Sequence, residues 1–527
     1  MVLQSEKVCV QAGVPFSESK IWAAQRHYYH TQGIEAWAEQ VPFYVTSNPV
    51  IADHYAKMIV LFFQDYLLKN PSSEKQTFYL VELGAGTGQF SYYVVKRILD
   101  LLSLWGLEHV SFCYVITDFT QTNIDHWRHH NCLEPLIERG VLDFATFDLE
   151  NDTYLRLQCS NVCLSENTVS TPLTVIANYL FDSVVMDVFR VQNKKIQESL
   201  VNISVDPKHV NTGDVDWSKV DFDYSNQDIS EHYYQHAVLD QVLAQYAEHL
   251  QDTYVQFPIG SLRGLESLSA ISNGQMFLLS SDKGYVSLNE LDDLEQPSLA
   301  FHGSFSTMVN FHAIAEFFRL QNGDAFLQEE YDAFATGAFS LGFDFASMPT
   351  LNAMLKQTIG GFSPGHFFHL YEHFDKTVKS ASLETIVSML NFTFWDPAIF
   401  DLASDRISDL LDDADDDVVQ YLLRKLPLIA DQFYFVPGVN DVLFDVAVVY
   451  QEMGQYDQAI IYFKQSLKYY PATYEFHFNM GYCHLELKQY DVALEEFRKA
   501  EAFQPKSKEL KSYIKQVEKA CDPEVRC

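Results

Sequence analysis

From Phe78 to Leu83 the chain reads FYLVEL, and from Phe90 to Trp105 apolar residues return at three- and four-residue intervals (Phe90, Val94, Ile98, Leu101, Leu102). The first pattern predicts a short strand buried on both faces, the second a helix packed by one side. Three further short apolar runs follow: FCYVIT (112–117), VLDFATF (141–147) and LTVIA (173–177). Strands spaced in this way predict an open α/β sheet, Rossmann-like in type. Farther on, Val188 to Val205 alternates around Asn193-Lys194-Lys195 as a hairpin would, and Ile229 to Leu250 carries Tyr233, Ala237, Leu239, Leu243, Tyr246 and Leu250 at helical spacing. About ninety residues separate the fourth strand from the run that ends at Asp282, far more than one crossover helix needs. That excess predicts an insertion at about 184–257, placed to serve as a substrate lid.

The loop after the first strand is what points to chemistry. Glu82, Gly84, Gly86 and Gly88 spell E-x-G-x-G-x-G, and glycine lets a backbone turn sharply or meet a ligand where a Cβ would collide. A dinucleotide loop has G-x-G-x-x-G and a P-loop ends in Lys-Ser/Thr, so neither pattern is met and an NAD enzyme is disfavoured. The later strands deliver Asp118, Asp148 and Asn178 to the same carboxyl edge, where open α/β sheets hold ligands. Taken singly, the loop reads equally as an unliganded βα turn and each Asp as a turn former or helix cap. Four polar strand ends in register favour a binding edge.

The E-x-G-x-G-x-G loop is similar to the first motif of class I S-adenosylmethionine-dependent methyltransferases. That resemblance implies a loop cradling the amino-acid end of the cofactor, Asp118 on the ribose hydroxyls and Asp148 on the adenine amino group. Across roughly 21–345 the chain more narrowly resembles the MidA-type methyltransferases, which include a mitochondrial complex I assembly factor. Tyr28-Tyr29 precede Tyr44-Val45-Thr46-Ser47-Asn48-Pro49, where that family has F-x-T-S-P. Asn178-Tyr179-Leu180-Phe181-Asp182 stands for N-E-x-x-D, Asp282-Lys283-Gly284 for D-Y-G, and Val309-Asn310-Phe311 for V-D-F. Two departures bear on the substrate: the family Glu is Tyr179 here, and its G-D-F is Pro42-Phe43-Tyr44. Arginine methylation, which the resemblance implies, needs carboxylates around a guanidinium, so the two departures count against that specificity. Asp182 and Tyr179 are the candidates for the transfer end: Asp182 to orient or deprotonate the acceptor, Tyr179 to shape the cavity or donate a hydrogen bond. The plainer alternative has Asp182 capping a helix from Ser183 onward and Tyr179 packing.

Near the C-terminus a repeat emerges. Residues 454–471 align with 488–505, placing Tyr456/Tyr490, Ala459/Ala493, Phe463/Phe497 and Pro471/Pro505 each 34 residues apart. This resembles tetratricopeptide repeats, helix pairs that stack small residues against aromatic ones. Lys508 to Ala520 reads as a capping helix, and the segments between Leu383 and Phe435 as earlier, degenerate pairs. The expected organisation is an N-terminal helical, substrate-side segment (1–77), a methyltransferase domain (78–345), a helical linker (346–436) and the repeats (437–527).

With 71 Asp+Glu against 36 Lys+Arg, the formal charge of -35 argues against nucleic acid and anionic membranes as partners. No signal-like segment opens the chain and no long apolar run interrupts it, so a cytoplasmic protein is expected. Eight scattered cysteines read as free thiols. His366, His369 and His373 share a helical face among Phe residues, which reads as packing and not as a metal site, and the acid run 412–417 reads as a solvated helix start. The leading expectation is a methyltransferase using S-adenosyl-L-methionine on a protein positioned by the repeats. The alternative is an inactive scaffold of the same fold, binding partners through its repeats.

Overall fold

The computed structural model describes residues 7–36, 44–211, 214–302, 304–331 and 333–521. The chain divides into two compact units, 1–369 and 370–527.

In the first unit the elements that position the site are, in chain order, helix α1 (Lys20–Gln32), helix α2 (Pro49–Lys69), strand β1 (Phe78–Leu83), helix α3 (Gln89–Leu104), and strands β2 (Phe112–Asp118), β3 (Leu142–Thr146), β4 (Leu173–Asn178), β5 (Met276–Tyr285), β6 (Asp324–Leu327) and β7 (Phe334–Leu341). They form one mixed sheet in the order β6-β7-β5-β4-β1-β2-β3. Strands β5, β4, β1, β2 and β3 run parallel, and β7 is antiparallel to both its neighbours, β5 and β6. From β1 the chain builds outward through β2 and β3, then returns to lay β4 and β5 on the other side. The sheet order therefore reverses between β1 and β4, the place where open α/β sheets bind ligands. This is the Rossmann-like sheet that the apolar runs predict. Leu80, Val81, Tyr114, Val115, Ile116, Val175 and Ile176 are fully buried, as strands covered on both faces require.

Helix α2 covers the sheet with Tyr55, Ile59, Phe62 and Phe63, none more than 1% exposed. Asn48 caps its N-terminus by accepting from the Ile51 amide at 3.0 Å, with Pro49 in the first turn.

The segment between β4 and β5 contains a sheet of its own. Asp187–Gln192 and Lys195–Val205 form the expected hairpin, closed by Asn193 and Lys194, both at positive φ (53° and 60°), the two-residue turn that matches strand twist. Asp252–Phe257 extends one edge, and Val220–Asp228 and the N-terminal strand Val8–Val14 both pair with Lys195–Val205. The N-terminal segment is thus part of the inserted sheet, which periodicity alone did not reveal. The helix expected over 229–250 begins only at Ala237. Upstream, Tyr233 and Tyr234 donate hydroxyls to the buried carboxylates of Glu198 and Asp187, and that anchoring to the strands displaces the helix start.

The second unit is helical from 383 onward, through Leu383–Phe392, Pro397–Leu410 and Asp416–Gln432 to the repeat helices Val442–Glu452, Tyr456–Ser466, Tyr474–Glu486 and Tyr490–Phe503, then Lys508–Cys521. Asp415 caps the helix that follows the acid run, accepting from the Asp417 amide. The repeated Ala459/Ala493 and Phe463/Phe497 are all fully buried. Among the described residues no helix is long and apolar enough to cross a membrane.

The small-against-aromatic rule extends to Gly481, where an added Cβ would lie 2.6 Å from Cδ1 of Phe497. Gly481→Val is expected to lower the opening free energy of the 474–503 helix pair by about 2 kcal/mol, read by hydrogen exchange in the full chain.

Candidate functional site

At the end of β1 the backbone turns left-handed at alternate residues: Gly84, Gly86 and Gly88 have φ of 64°, 56° and 77°. A side chain at any of the three would be strained, and at Gly84 a Cβ would also sit 3.0 Å from Leu180 Cδ1. Gly88 stands at the N-cap of α3. Gly84, Ala85, Gly86 and Thr87 form one wall of a recess whose other walls come from Thr46 and Ser47, before α2, and from Asn178 and Tyr179, after β4. Pro42 and Phe43, singled out beside this element, lie outside the described residues.

The Asn178 amide has a fixed orientation. Its Oδ1 accepts from the Ser281 amide at 3.0 Å and from the Tyr55 hydroxyl at 2.8 Å, and since the first is an obligate donor, Nδ2 must point the other way. That Nδ2 is buried with no partner within the chain. A buried donor left unpaired costs about 1–3 kcal/mol, so it calls for an acceptor. Glu82 lies deeper, accepting from Ser91 Oγ and from the Tyr114 hydroxyl at 2.7 Å. Burial pushes its carboxyl up to about 7, against the pull of those two donors.

A second recess opens on the other side of Gly84. Leu83, Phe119, Phe147, Leu149 and Leu180 make it apolar, and α1 closes it with Trp22, Gln25, Arg26 and Tyr29. Asp118 and Asp148 both stand in its wall. Asp118 Oδ1 accepts from the Thr120 amide (2.7 Å) and hydroxyl (2.8 Å), and Oδ2 from Asn123 Nδ2 (3.0 Å). Of about four acceptor positions on a carboxylate, three are thus filled. Burial raises its pKa although those donors oppose the shift. Asp148 differs: Arg26 grips both oxygens at 2.8 Å, Asn151 Nδ2 adds a bond to Oδ2, and the Glu150 amide one to Oδ1. Burial pushes this carboxyl upward, but the Arg26 fork and its neighbours hold it below the usual range. Arg26 also bonds Glu150 at 2.7 Å and lies 5.6 Å from the centroid of the Phe119 ring.

Tyr179 borders both recesses. It is held at φ 48°, an uncommon conformation for a bulky residue that the surroundings must enforce. Its ring meets Phe334 edge-on at 5.5 Å, and burial, then the charges of Asp282 and Asp182, raise its pKa. Asp182 lies in a single 3-10 turn, Phe181–Ser183, after which the chain becomes extended. There is no helix for it to cap, which removes the plainer reading of this residue. Its backbone amide donates to Asp282 Oδ2 at 3.2 Å, and Ser183 Oγ donates to its Oδ1 at 2.8 Å. Burial pushes Asp182 up to about 6, and burial together with the Asp182 charge raises Asp282 well above the ordinary range. Two carboxyls this close and this dry titrate as a pair. Tyr29, lifted to about 12 by burial, feels the charge of Asp182.

The structure thus brings Glu82, Gly84, Gly86, Asn178 and Tyr179 around one recess, and Gly84, Asp118, Asp148 and Tyr179 around its neighbour. Asp182 faces a small cleft with Trp22 and Gln25. Sequence reasoning missed Arg26, Glu150 and Tyr55, and named Asp282 as a motif position without a role in the site. Arg26 carried no signal, because a single Arg on an amphipathic helix is ordinary.

Residues 445–508 match the family model for a tetratricopeptide repeat. No curated protein matches the chain by sequence. Among solved structures, a Burkholderia thailandensis protein bound to S-adenosyl-homocysteine (SAH) is 13% identical, covering 62% of this chain and 88% of its own, at TM-score 0.38. Magnesium protoporphyrin IX methyltransferase from Synechocystis PCC 6803, with bound SAH, is 9% identical over 60% and 98% of the two chains, at TM-score 0.27. A thermophilic TPR protein of Thermus thermophilus is 21% identical over 33% and 90%, at TM-score 0.22.

Because the folded protein keeps Glu82 protonated to about pH 7 while an unfolded Glu ionises near 4.5, the folded state binds the extra proton between those values. The contribution of this group to stability is therefore greatest at low pH and falls as pH rises through that window. Glu82→Gln lacks this titration. In urea unfolding across pH 4 to 8, variant-minus-wild-type stability is expected to rise between about pH 4.5 and 7 and to level off above.

Proposed function

We propose that the two recesses together bind S-adenosyl-L-methionine and that the protein is a methyltransferase. The observation that carries this reading is the Asn178 Nδ2 donor, buried and unpaired, on a residue that shares a recess with Gly84, Ala85, Gly86 and Thr87 at the point where the sheet order reverses. An amino-acid carboxylate supplies the acceptor that this donor lacks. A phosphate ligand fits less well, since among the described residues no lysine or arginine lines this recess.

The remaining residues divide by chemistry. Asp118, with one acceptor position open, suits a ribose hydroxyl, and the apolar wall of Phe119, Phe147 and Leu149 suits a purine face. When bound, the cofactor supplies a methyl group activated by a sulfonium, so the protein's own share is alignment and handling of the acceptor's proton. Asp182 and Tyr179 are assigned to the transfer end. Burial raises both Asp182 and Asp282, so the pair keeps a proton above the ordinary carboxylate range, and an ionised Asp182 can take the proton of an acceptor group. Helical repeats offer surface for a protein segment, and a protein side chain is accordingly the proposed methyl acceptor. The residue at the family's glutamate position is Tyr179, so a guanidinium loses one of the carboxylates that would clamp it, and an acceptor other than arginine is favoured.

Titration calorimetry with SAH tests the binding. The wild type is expected to bind. Gly84→Val, which puts a branched side chain into a left-handed position against Leu180, is expected to abolish binding. Asn178→Asp keeps the acceptor for Ser281 and turns the unpaired donor into an oxygen, so affinity is expected to fall at least about tenfold. Absence of heat with the wild type would leave the scaffold reading in its place. In a second assay, transfer of labelled methyl to protein acceptors is expected with the wild type and strongly reduced in Asp182→Asn.

A further inference from the structure

Asp148 stands in the wall of the apolar recess that, on the cofactor reading above, receives the purine, yet its acceptor positions are already taken inside the chain. Arg26 occupies one position on each oxygen, Asn151 the second on Oδ2 and the Glu150 amide the second on Oδ1. A carboxylate offers about four such positions, so none is left for an incoming amino group. The arrangement is anchored at several points. Arg26 makes a further bond to Glu150, whose other oxygen accepts from the Val185 amide at 3.0 Å, and the guanidinium rests against the Phe119 ring. Helix α1 is itself tied down beside it, Trp22 Nε1 donating to the Phe16 carbonyl at 2.7 Å and Gln25 Nε2 to the Phe305 carbonyl at 2.7 Å.

We propose that Arg26 is a specificity-determining residue of this pocket: by forking onto Asp148 and saturating it, Arg26 leaves the 6-position of the purine unread, so that 6-amino and 6-oxo purines are accepted alike. The physical basis is the donor and acceptor inventory. An unoccupied Asp carboxylate accepts from a 6-amino group and repels a 6-oxo group. Once its charge is matched by a guanidinium and its lone pairs are directed there, Asp148 favours neither group, and Glu150 beside it is turned to the same guanidinium and to the Val185 amide. The geometry also requires the fork, because a lysine offers one compact charge and cannot engage both carboxylate oxygens in the same plane.

The test is titration calorimetry of the full-length protein with SAH and with its 6-oxo analogue, S-inosyl-homocysteine. For the wild type the two dissociation constants are expected to agree within about threefold. Arg26→Met frees two positions on Asp148, and SAH is then expected to bind at least about tenfold more tightly than the analogue, the worth of one hydrogen bond to a charged group. Arg26→Lys keeps a cation on α1 and tests the fork if the Met variant does not fold; its preference is expected to lie between the two. A wild-type preference of tenfold or more for SAH overturns the proposal, as does an unchanged ratio in folded Arg26→Met or Arg26→Lys. Those results leave the cofactor reading standing. Failure of wild type to bind either compound overturns the cofactor reading, and this inference with it.

Discussion

The site depends on one topological constraint: the sheet is built outward from β1 in one direction and from β4 in the other, so the loops leaving these two neighbours diverge and leave a gap at their carboxyl ends. The groups facing the gap are carried by the loops at those strand ends. β1 contributes bare backbone at Gly84 and Gly86, and β4 contributes Asn178 and the strained Tyr179. The two loops also limit each other, since Leu180 approaches the space a Cβ on Gly84 would fill. A glycine there serves both its own left-handed turn and the close approach of the opposite loop.

A second constraint is electrostatic. The chain carries a large excess of acid, and it places several carboxylates in dry surroundings around this gap. They are stabilised in different ways, with different results. Glu82 and Asp118 are met by hydroxyls, an amide and a backbone N–H, which offset burial only in part, so both are shifted upward. Asp182 and Asp282 are worse placed: burial raises both, and the Asp182 charge adds to the cost of ionising Asp282. Asp148 alone among these five is gripped by a guanidinium, and it alone is shifted downward. The carboxyl edge thus sorts nearly identical side chains into proton holders and a fixed anion, and position along the sheet decides which is which.

Much of this edge was legible in the sequence because its signals are local. Apolar runs gave β1 to β4, the alternating glycines gave the loop, and each strand end named its polar residue without any knowledge of pairing. The repeats were legible for the same reason, as a period of 34 residues places equivalent side chains in equivalent packing. What stayed hidden was carried by contacts between distant segments. Arg26 meets Asp148 across 122 positions, Tyr55 meets Asn178 across 123, and Val8–Val14 pairs with a strand near 200. Tyr233 shows the reverse failure: it fits a helical period locally, and the buried Glu198 carboxylate overrides that period.

The long-range contacts also explain why the N-terminal segment belongs to the site. Val8–Val14 is fixed by backbone hydrogen bonds to the inserted sheet, Ser17 Oγ donates to Asp187 in the same sheet, and α1 follows at once. Helix α1 therefore starts from the insertion and reaches the loops after β2 and β3 through Arg26. The segment is thus held by the inserted sheet on one side and, through Arg26, by Asp148 and Glu150 on the other, with His30 packing on Phe119 as a further contact. The fork, bidentate and backed by Glu150, is a firmer tie than a single exposed ion pair would be.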